Sequence, residues 1–207
     1  MKIDLSTVGM EKGCLYETIL TTENSESLRN AAPFGVIVMG QDKVMIRMFE
    51  GTRTVSNIKE TKQFIVNITD NSFLFTKTFL DNAEDSELNE NNTLKDCQAY
   101  FKCEVEREIE TVRDDDINVS GLVIINAKVT ELTINEKSVK PLNRATTTVL
   151  DCLVDFSRID MVDEDSKNQF LKRIKDNKKL IKKVGSKKDK RSIELIEEKL
   201  IEKGYSL

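Results

Sequence analysis

The apolar residues of this chain change their period once, near Pro141. Before that point they come in short runs rich in branched and aromatic side chains, separated by Gly, Asn and Asp. After it they recur every three or four residues. A chain patterned in this way is restricted to a β-rich body followed by a helical segment. In the first part, "CLYETILTT" (Cys14–Thr22), "FGVIVMG" (Phe34–Gly40), "KVMIRMF" (Lys43–Phe49), "QFIVNIT" (Gln63–Thr69) and "CQAYFKCEVE" (Cys97–Glu106) read as strands. In the last of these, Cys97, Ala99, Phe101, Cys103 and Val105 alternate with polar neighbours, which assigns all five to one buried face. "GLVIINAKVTELTIN" (Gly121–Asn135) is long enough for a bent strand or for two strands across a bulge. Gly40-Gln41-Asp42 is a hairpin signal, and "LRNAAPFGV" (Leu28–Val36) reads as a loop between strands. The acidic, Asn-rich stretch Asp81–Asp96 reads as a solvated loop rather than a lid. Short, closely spaced and mostly antiparallel strands suggest a barrel.

The second part reads as three helices. In "NRATTTVLDCLVDFSRI", Thr146, Val149, Leu150, Leu153, Val154 and Ser157 share one face, and Asn143 fits an N-cap. Phe170, Ile174, Ile181 and Val184 form the stripe of the next helix, which Gly185 ends; Ile193, Ile196, Leu200 and Gly204 mark the third. The expected class is therefore α+β, mainly β, with a β domain over residues 1–140 and a C-terminal helical region over 141–207, packed on the barrel or on a dimer partner.

With 207 residues the chain is long enough to bury a sizeable core without staples. The most restrictive fact of composition is the absence of histidine. Ser-His-Asp and Cys-His catalysis, His-ligated metals and imidazole acid–base chemistry are all excluded. A site here must use backbone amides, hydroxyls, Arg, Lys, carboxylates, or a cofactor with its own chemistry. Cys14, Cys97, Cys103 and Cys152 lack zinc spacing and read as buried thiols, so no metal is expected. No window approaches the roughly 18 to 20 apolar residues of a membrane span, and the start lacks a signal-peptide core. A cytoplasmic protein is expected.

Two stretches carry the chemistry. "FEGTRT" ends where a helix begins, and helix starts bind anions through unpaired N–H groups and a partial positive charge. Asn57 and Glu60 have the spacing of a capping box, which puts Gly51-Thr52-Arg53-Thr54 at or just before the helix. Two hydroxyls and a guanidinium there suit a phosphate; read on their own, the threonines equally serve as caps with Arg53 solvated. "NAAPFG" gathers small side chains and a proline, so a flat ligand can approach the backbone.

Together, in this order, "NAAPF", "EGTRT" and "SNIKETKQFIVN" resemble the FMN-binding split-barrel proteins of the flavin reductase-like superfamily. The similarity is greatest to an uncharacterised, largely archaeal family that shares "NAAPFGV", "FEGTRT" and a later "NRA". The resemblance implies a split β-barrel, non-covalent FMN and an oxidoreductase of unidentified substrate with a small-molecule electron donor or acceptor. It implies that Thr52, Arg53 and Thr54 hold the phosphate, and that Asn30, Ala31, Pro33 and Phe34 line the ring or ribityl side. Arg47 is placed near the flavin, and Arg144 is a candidate reaching it across a homodimer interface. The preference for FMN over FAD comes from this resemblance alone. Glu17 and Glu50 are candidate acids or bases only through their nearness in sequence to these loops.

Two alternatives stand beside that reading. One is a flavin-binding module that catalyses nothing. The other is a nucleic-acid-binding protein, because Lys167–Arg191 holds twelve Lys or Arg and two Asp, a local +10 in a chain of net −4. Lysines opposite an apolar stripe, without interleaved aromatics and near a helix end, favour a solvated face over nucleic acid.

Overall fold

The computed structural model describes residues 3–80, 87–115 and 118–206. The chain divides into two compact units, Met1–Leu142 and Asn143–Leu207. Pro141 and Leu142 still belong to the first. Leu142 accepts a hydrogen bond from the Glu17 amide at 2.7 Å. Pro141 lies so close to Gly9 that a Cβ there would come within 3.3 Å of its ring.

The first unit is a closed six-stranded antiparallel barrel. Its strands are β1 (Leu15–Glu23), β2 (Arg29–Val38), β3 (Lys43–Phe49), β4 (Gln63–Ile68), β5 (Ala99–Asp115) and β6 (Asn118–Ile134), in the order β1-β2-β3-β6-β5-β4. Alternation decides which side chains fill it. Leu20, Val36, Ile46, Val66, Phe101 and Ile125 point inward and are fully buried. A short 3₁₀ turn, Leu5–Val8, adds Leu5 and Val8 to the same core.

Three sequence expectations change. "NAAPF" is not a loop but lies within β2. Proline and small residues signal a turn, yet they are also tolerated where a strand has an unpaired side. β3 pairs only with Val36–Val38 of β2, so Arg29–Gly35 is laddered to β1 alone among the described strands. Val38 exchanges hydrogen bonds with Gly13 and Cys14 on the β1 side. By alternation the backbone groups of Ala31, Pro33 and Gly35 point to the other, open side, where the missing N–H of Pro33 costs nothing. Cys97 precedes β5 rather than sharing its buried face. It packs outside the barrel with Ile19, Ala31, Leu74, Leu88 and Leu94, while Cys103 lies inside. A helix not signalled by periodicity, α2 (Ser72–Leu80; here numbered after α1, Arg53–Thr61), covers this outer cluster through Leu74. β5 and β6, 17 residues each, pair along their length with one extra residue on each strand, Thr130 of β6 opposite Lys102/Cys103 and Glu106 of β5 between Val105 and Arg107; the first is the bulge that Gly121–Asn135 allowed for. These kinks let one hairpin line the barrel and then run past β4, whose pairing stops at Glu104. Residues 81–86 of the acidic stretch lie outside the described residues; the rest closes through a Leu88–Leu94 bridge.

The second unit holds α3 (Arg144–Arg158), α4 (Glu164–Val184) and α5 (Lys187–Glu202). Asn143 caps α3, accepting from Ala145 and donating to the Val184 carbonyl at 3.0 Å. The buried face of α3 is Ala145, Thr148, Val149, Cys152 and Asp155, which shares only Val149 with the stripe expected. Leu150, Leu153 and Val154 are exposed. Small side chains allow close helix approach, and Arg173 of α4 takes both oxygens of Asp155, at 2.5 and 2.9 Å, which sets the helix rotation. Ile174, Ile181 and Val184 of α4 meet Ile193, Ile196 and Leu200 as the buried residues of this unit. No helix among the described residues is long and apolar enough to cross a membrane.

All four cysteines are buried and none is in a disulfide. Burial pushes the Cys97 thiol up to about 11 and the Cys103 thiol well above its ordinary value. Tyr16, buried with its hydroxyl accepting from the Glu11 amide at 2.9 Å, is pushed up to about 12 by desolvation. Its neutral form is favoured by folding, so this contribution is fully present below about pH 10, the value for an unfolded tyrosine, and is lost as pH rises toward 12. Thermal melts across that range should show a steeper decline for the wild type than for Tyr16→Phe; parallel curves would remove the role of Tyr16.

Candidate functional site

The residues of both sequence stretches meet where β3 leaves β2. β3 continues to Phe49, and a turn at Glu50-Gly51 reverses the chain with Gly51 at φ +80, a conformation that favours glycine. A side chain at Gly51 would meet nothing within 4 Å, so space lies open above the turn. α1 begins immediately after it. Its N-cap is Thr52, whose Oγ1 accepts from the Val55 amide at 3.3 Å. The expected cap, Asn57, is instead inside the helix and buried. Its Nδ2 donates to Thr22 Oγ1 of β1 at 3.1 Å, a tertiary bond that outweighs any local capping role.

The first internal bond of α1 runs from the Ser56 amide to the Thr52 carbonyl at 3.1 Å. With Val55 taken by the cap, the amides of Arg53 and Thr54 are those a helix start leaves for an external acceptor. The Arg53 side chain is exposed beside them. The helix start thus offers donors and partial positive charge with no acidic residue in its first turn, which suits a phosphate.

Thr54 faces the other way. It is 2% exposed, and its Oγ1 accepts from Asn30 Nδ2 of β2 at 2.9 Å. The two side chains therefore bind each other and pin the helix start to the open half of β2. Ala31 turns outward into the cluster under α2, and Phe34 packs against the barrel core. Arg47 lies one residue beyond the last β2–β3 pair, Val36–Ile46. Since Val36 and Ile46 point inward, Gly35 and Arg47 both face outward on the same side, and the Arg47 side chain is exposed. Of the expected residues the structure brings Asn30 and Thr54 into contact; Ala31, Pro33 and Phe34 share β2 with Asn30, Arg47 lies on β3, and Thr52 and Arg53 stand at the start of α1. Arg144 opens α3 in the second unit and is described with it; the Thr147 and Thr148 hydroxyls bond its carbonyl.

The far side of α1 is held by the β5–β6 hairpin. Lys59 pairs with Glu110 at 2.5 Å and Lys62 with Glu108 at 2.8 Å. The Lys62 carbonyl accepts from the Val105 amide at 2.9 Å. The Glu110 bond raises the pKa of Lys59, and Lys59 in turn lowers that of Glu110. Glu50, weighed as an acid or base, is exposed and lies against Gly121, where a Cβ would fall 2.2 Å from its Oε2. Glu17 sits on β1, where its amide bonds Leu142. Neither carboxylate is placed at the start of α1. The asparagine ending "SNIKETKQFIVN", Asn67, is fully buried: its Nδ2 bonds the Ile19 carbonyl and Thr21 Oγ1, and its Oδ1 accepts from the Leu94 amide. The two asparagines of that motif therefore brace the fold, a role that only the tertiary partners reveal.

The Asn30–Thr54 bond is testable by a double-mutant cycle with Asn30→Ala and Thr54→Val. Each single change leaves a buried polar group without its partner and should cost about 1 to 3 kcal/mol. The pair should cost clearly less than the sum; additive urea midpoints would show that the contact contributes nothing.

Two family profiles account for most of the chain: "Protein of unknown function (DUF447) N-terminal domain" over residues 16–136, and "Protein of unknown function (DUF447)" over 143–198. An uncharacterized protein of Methanocaldococcus jannaschii is 27% identical over 188 residues, covering 88% of this chain and 96% of that one. The crystal structure of an FMN-bound DUF447 protein from Methanosarcina mazei is similar at 25% identity with a TM-score of 0.52, covering 94% of this chain and 99% of that one. The styrene monooxygenase flavin reductase of Pseudomonas putida S12 is similar at 17% identity, TM-score 0.48, over 62% of this chain and 85% of that one. The fold is the flavin reductase-like split barrel, and the chain belongs to the DUF447 family.

Proposed function

We propose that this protein binds FMN non-covalently at the β2–β3 fork and works as an oxidoreductase between a small-molecule donor and acceptor. The observation that carries the reading is the start of α1, with two amides, the Thr52 hydroxyl and the Arg53 guanidinium converging beside open space above Gly51. The FMN bound by the Methanosarcina mazei relative supports it. Phosphate would be held by Thr52, Arg53 and the backbone of Thr54, whose own side chain is engaged by Asn30. The backbone groups of Pro33 and Gly35, half-buried on the unpaired side of β2, would offer hydrogen bonds to the edge of a flat ring, while Ala31, fully buried, would support the strand from behind. Flavin supplies the electron-carrying chemistry when bound. The protein binds and orients it, and Arg47, at the same fork, would place positive charge near a ring that gains negative charge on reduction. No histidine is needed for any of these tasks.

A homodimer with the flavin at or near its interface, and a cytoplasmic location, complete the proposal; in such a dimer Arg144 would come from the partner. The resemblance to flavin reductase-like proteins is what favours the dimer, and four buried thiols suit a reducing compartment.

Protein purified without added cofactor and then titrated with FMN should quench flavin fluorescence at a single site. Thr52→Ala combined with Arg53→Ala removes charge-assisted hydrogen bonds and should weaken binding about 10- to 100-fold, with circular dichroism unchanged. Uptake of no flavin by the wild type would overturn the proposal. If FMN binds and no nicotinamide or deazaflavin donor reduces it, the flavin-binding module without catalysis replaces the oxidoreductase.

A further inference from the structure

The lysines of α4 and of the turn into α5 are arranged as a row. Lys172, Lys175, Lys179, Lys182 and Lys183 fall within one narrow arc of α4 and all are exposed. From Lys172 to Lys182 the row is about 15 Å long at 1.5 Å per residue. Gly185 and Ser186 turn the chain, and Lys187, Lys188 and Lys190 follow in the first turn of α5.

Two features separate this row from an ordinary solvated helix face. Such faces usually mix signs, as α5 does: Arg191 pairs with Glu194 and Glu198, and Lys199 with Glu202. On the α4 row the one carboxylate is Asp176, bonded to Lys179 at 2.8 Å. That bond, with the nearby charges of Lys172 and Lys175, holds the Asp176 carboxyl below its usual range. Among the described residues Lys172, Lys175, Lys182, Lys183, Lys187, Lys188 and Lys190 form no ion pair. The second feature is position. Lys182 and Lys183 stand at a helix C-terminus, where the dipole favours them, but Lys187, Lys188 and Lys190 stand at an N-terminus, where it does not. The acid there, Asp189, is used by the Ser186 capping box and by Thr146. Repulsion at that helix start is a cost to folding that an external anion would relieve.

We propose that this face binds the phosphate backbone of double-stranded DNA without sequence preference. Regular spacing along a straight helix fits a regularly charged linear partner. The row carries no aromatic for base stacking, which argues against single strands, and no apolar side chain to enter a membrane. An α-helix fits the roughly 12 Å major groove of B-DNA, whereas the deep, narrow groove of an RNA duplex does not admit one. The rest of the chain carries net negative charge, which directs any duplex to this face.

The test is fluorescence anisotropy of the full chain with labelled DNA duplexes of two unrelated sequences, titrated between about 50 and 200 mM salt. Both duplexes should bind alike, and log K should fall against log salt with a slope of about −4 to −5 for five phosphates. Lys175→Gln, Lys182→Gln, Lys183→Gln and Lys188→Gln together should reduce the slope by about 3 to 4. Lys199→Gln, on the mixed face of α5, should leave it unchanged, and melting curves of all variants establish that the helices are intact. Absence of binding at about 150 mM salt, tighter binding to an RNA duplex or single strand, or a slope the four changes do not move would each overturn the proposal. Any of those results leaves FMN binding at the fork untouched.

Discussion

The arrangement of the barrel depends on how α1 is held. α1 follows β3 and turns Val55 and Ile58 into the barrel core. Two buried side-chain bonds, Asn30 to Thr54 and Asn57 to Thr22, join it to β2 and β1. On the other flank, exposed ion pairs from Lys59 and Lys62 reach the overhanging hairpin. The two sides are unequal. Exposed pairs contribute little, whereas a buried polar group left alone is costly, so the asparagines set the position of the helix and the ion pairs trim it.

Holding α1 by its inner face leaves its start free to work. Thr52 spends one lone pair on the cap and Thr54 spends its side chain on Asn30. What remains outward is the amide pair at Arg53 and Thr54, the guanidinium, and the space above Gly51. The departure of β3 from β2 leaves one side of the β2 backbone without a partner among the described strands. An unpaired strand side is ordinarily a hazard for edge-to-edge association, and here it is shortened to Arg29–Gly35 and interrupted by Pro33. The free amides at the start of α1 and the unpaired backbone of β2 thus both follow from one departure of β3 from β2.

How far this was legible depends on whether a signal was local. Gly51-Thr52-Arg53-Thr54 could be read because turn, cap and charge chemistry act within four residues. Asn143 could be read as a cap for the same reason. Asn57 could not, because its partner Thr22 is 35 positions away and a capping-box spacing supplied a false local explanation. "NAAPF" misled because a proline on an unpaired strand side looks the same in sequence as one in a turn. α2 gave no helical period: Phe73, Phe79 and Leu80 are exposed while Leu74 and Thr78 are buried, so its apolar residues do not mark its buried face. On α3 the larger residues suggested one face, and small residues together with the Arg173–Asp155 pair selected another. The barrel itself was readable from strand pattern, and so was a bulge within Gly121–Asn135, found at Thr130; the one at Glu106 of β5 appears only in the pairing.

Both anion-directed features share a chemical restriction that follows from the missing histidine. As proposed, the fork would use backbone dipoles and the Arg53 guanidinium, and α4 its lysines, with no imidazole in either. Neither can act as an imidazole switch between about pH 5 and 8. The buried thiols do not supply one, since burial drives Cys97, Cys103 and Cys152 upward, away from neutral pH. If both proposals hold, binding at the fork and along α4 would be governed by ionic strength and geometry, with no histidine switch in either.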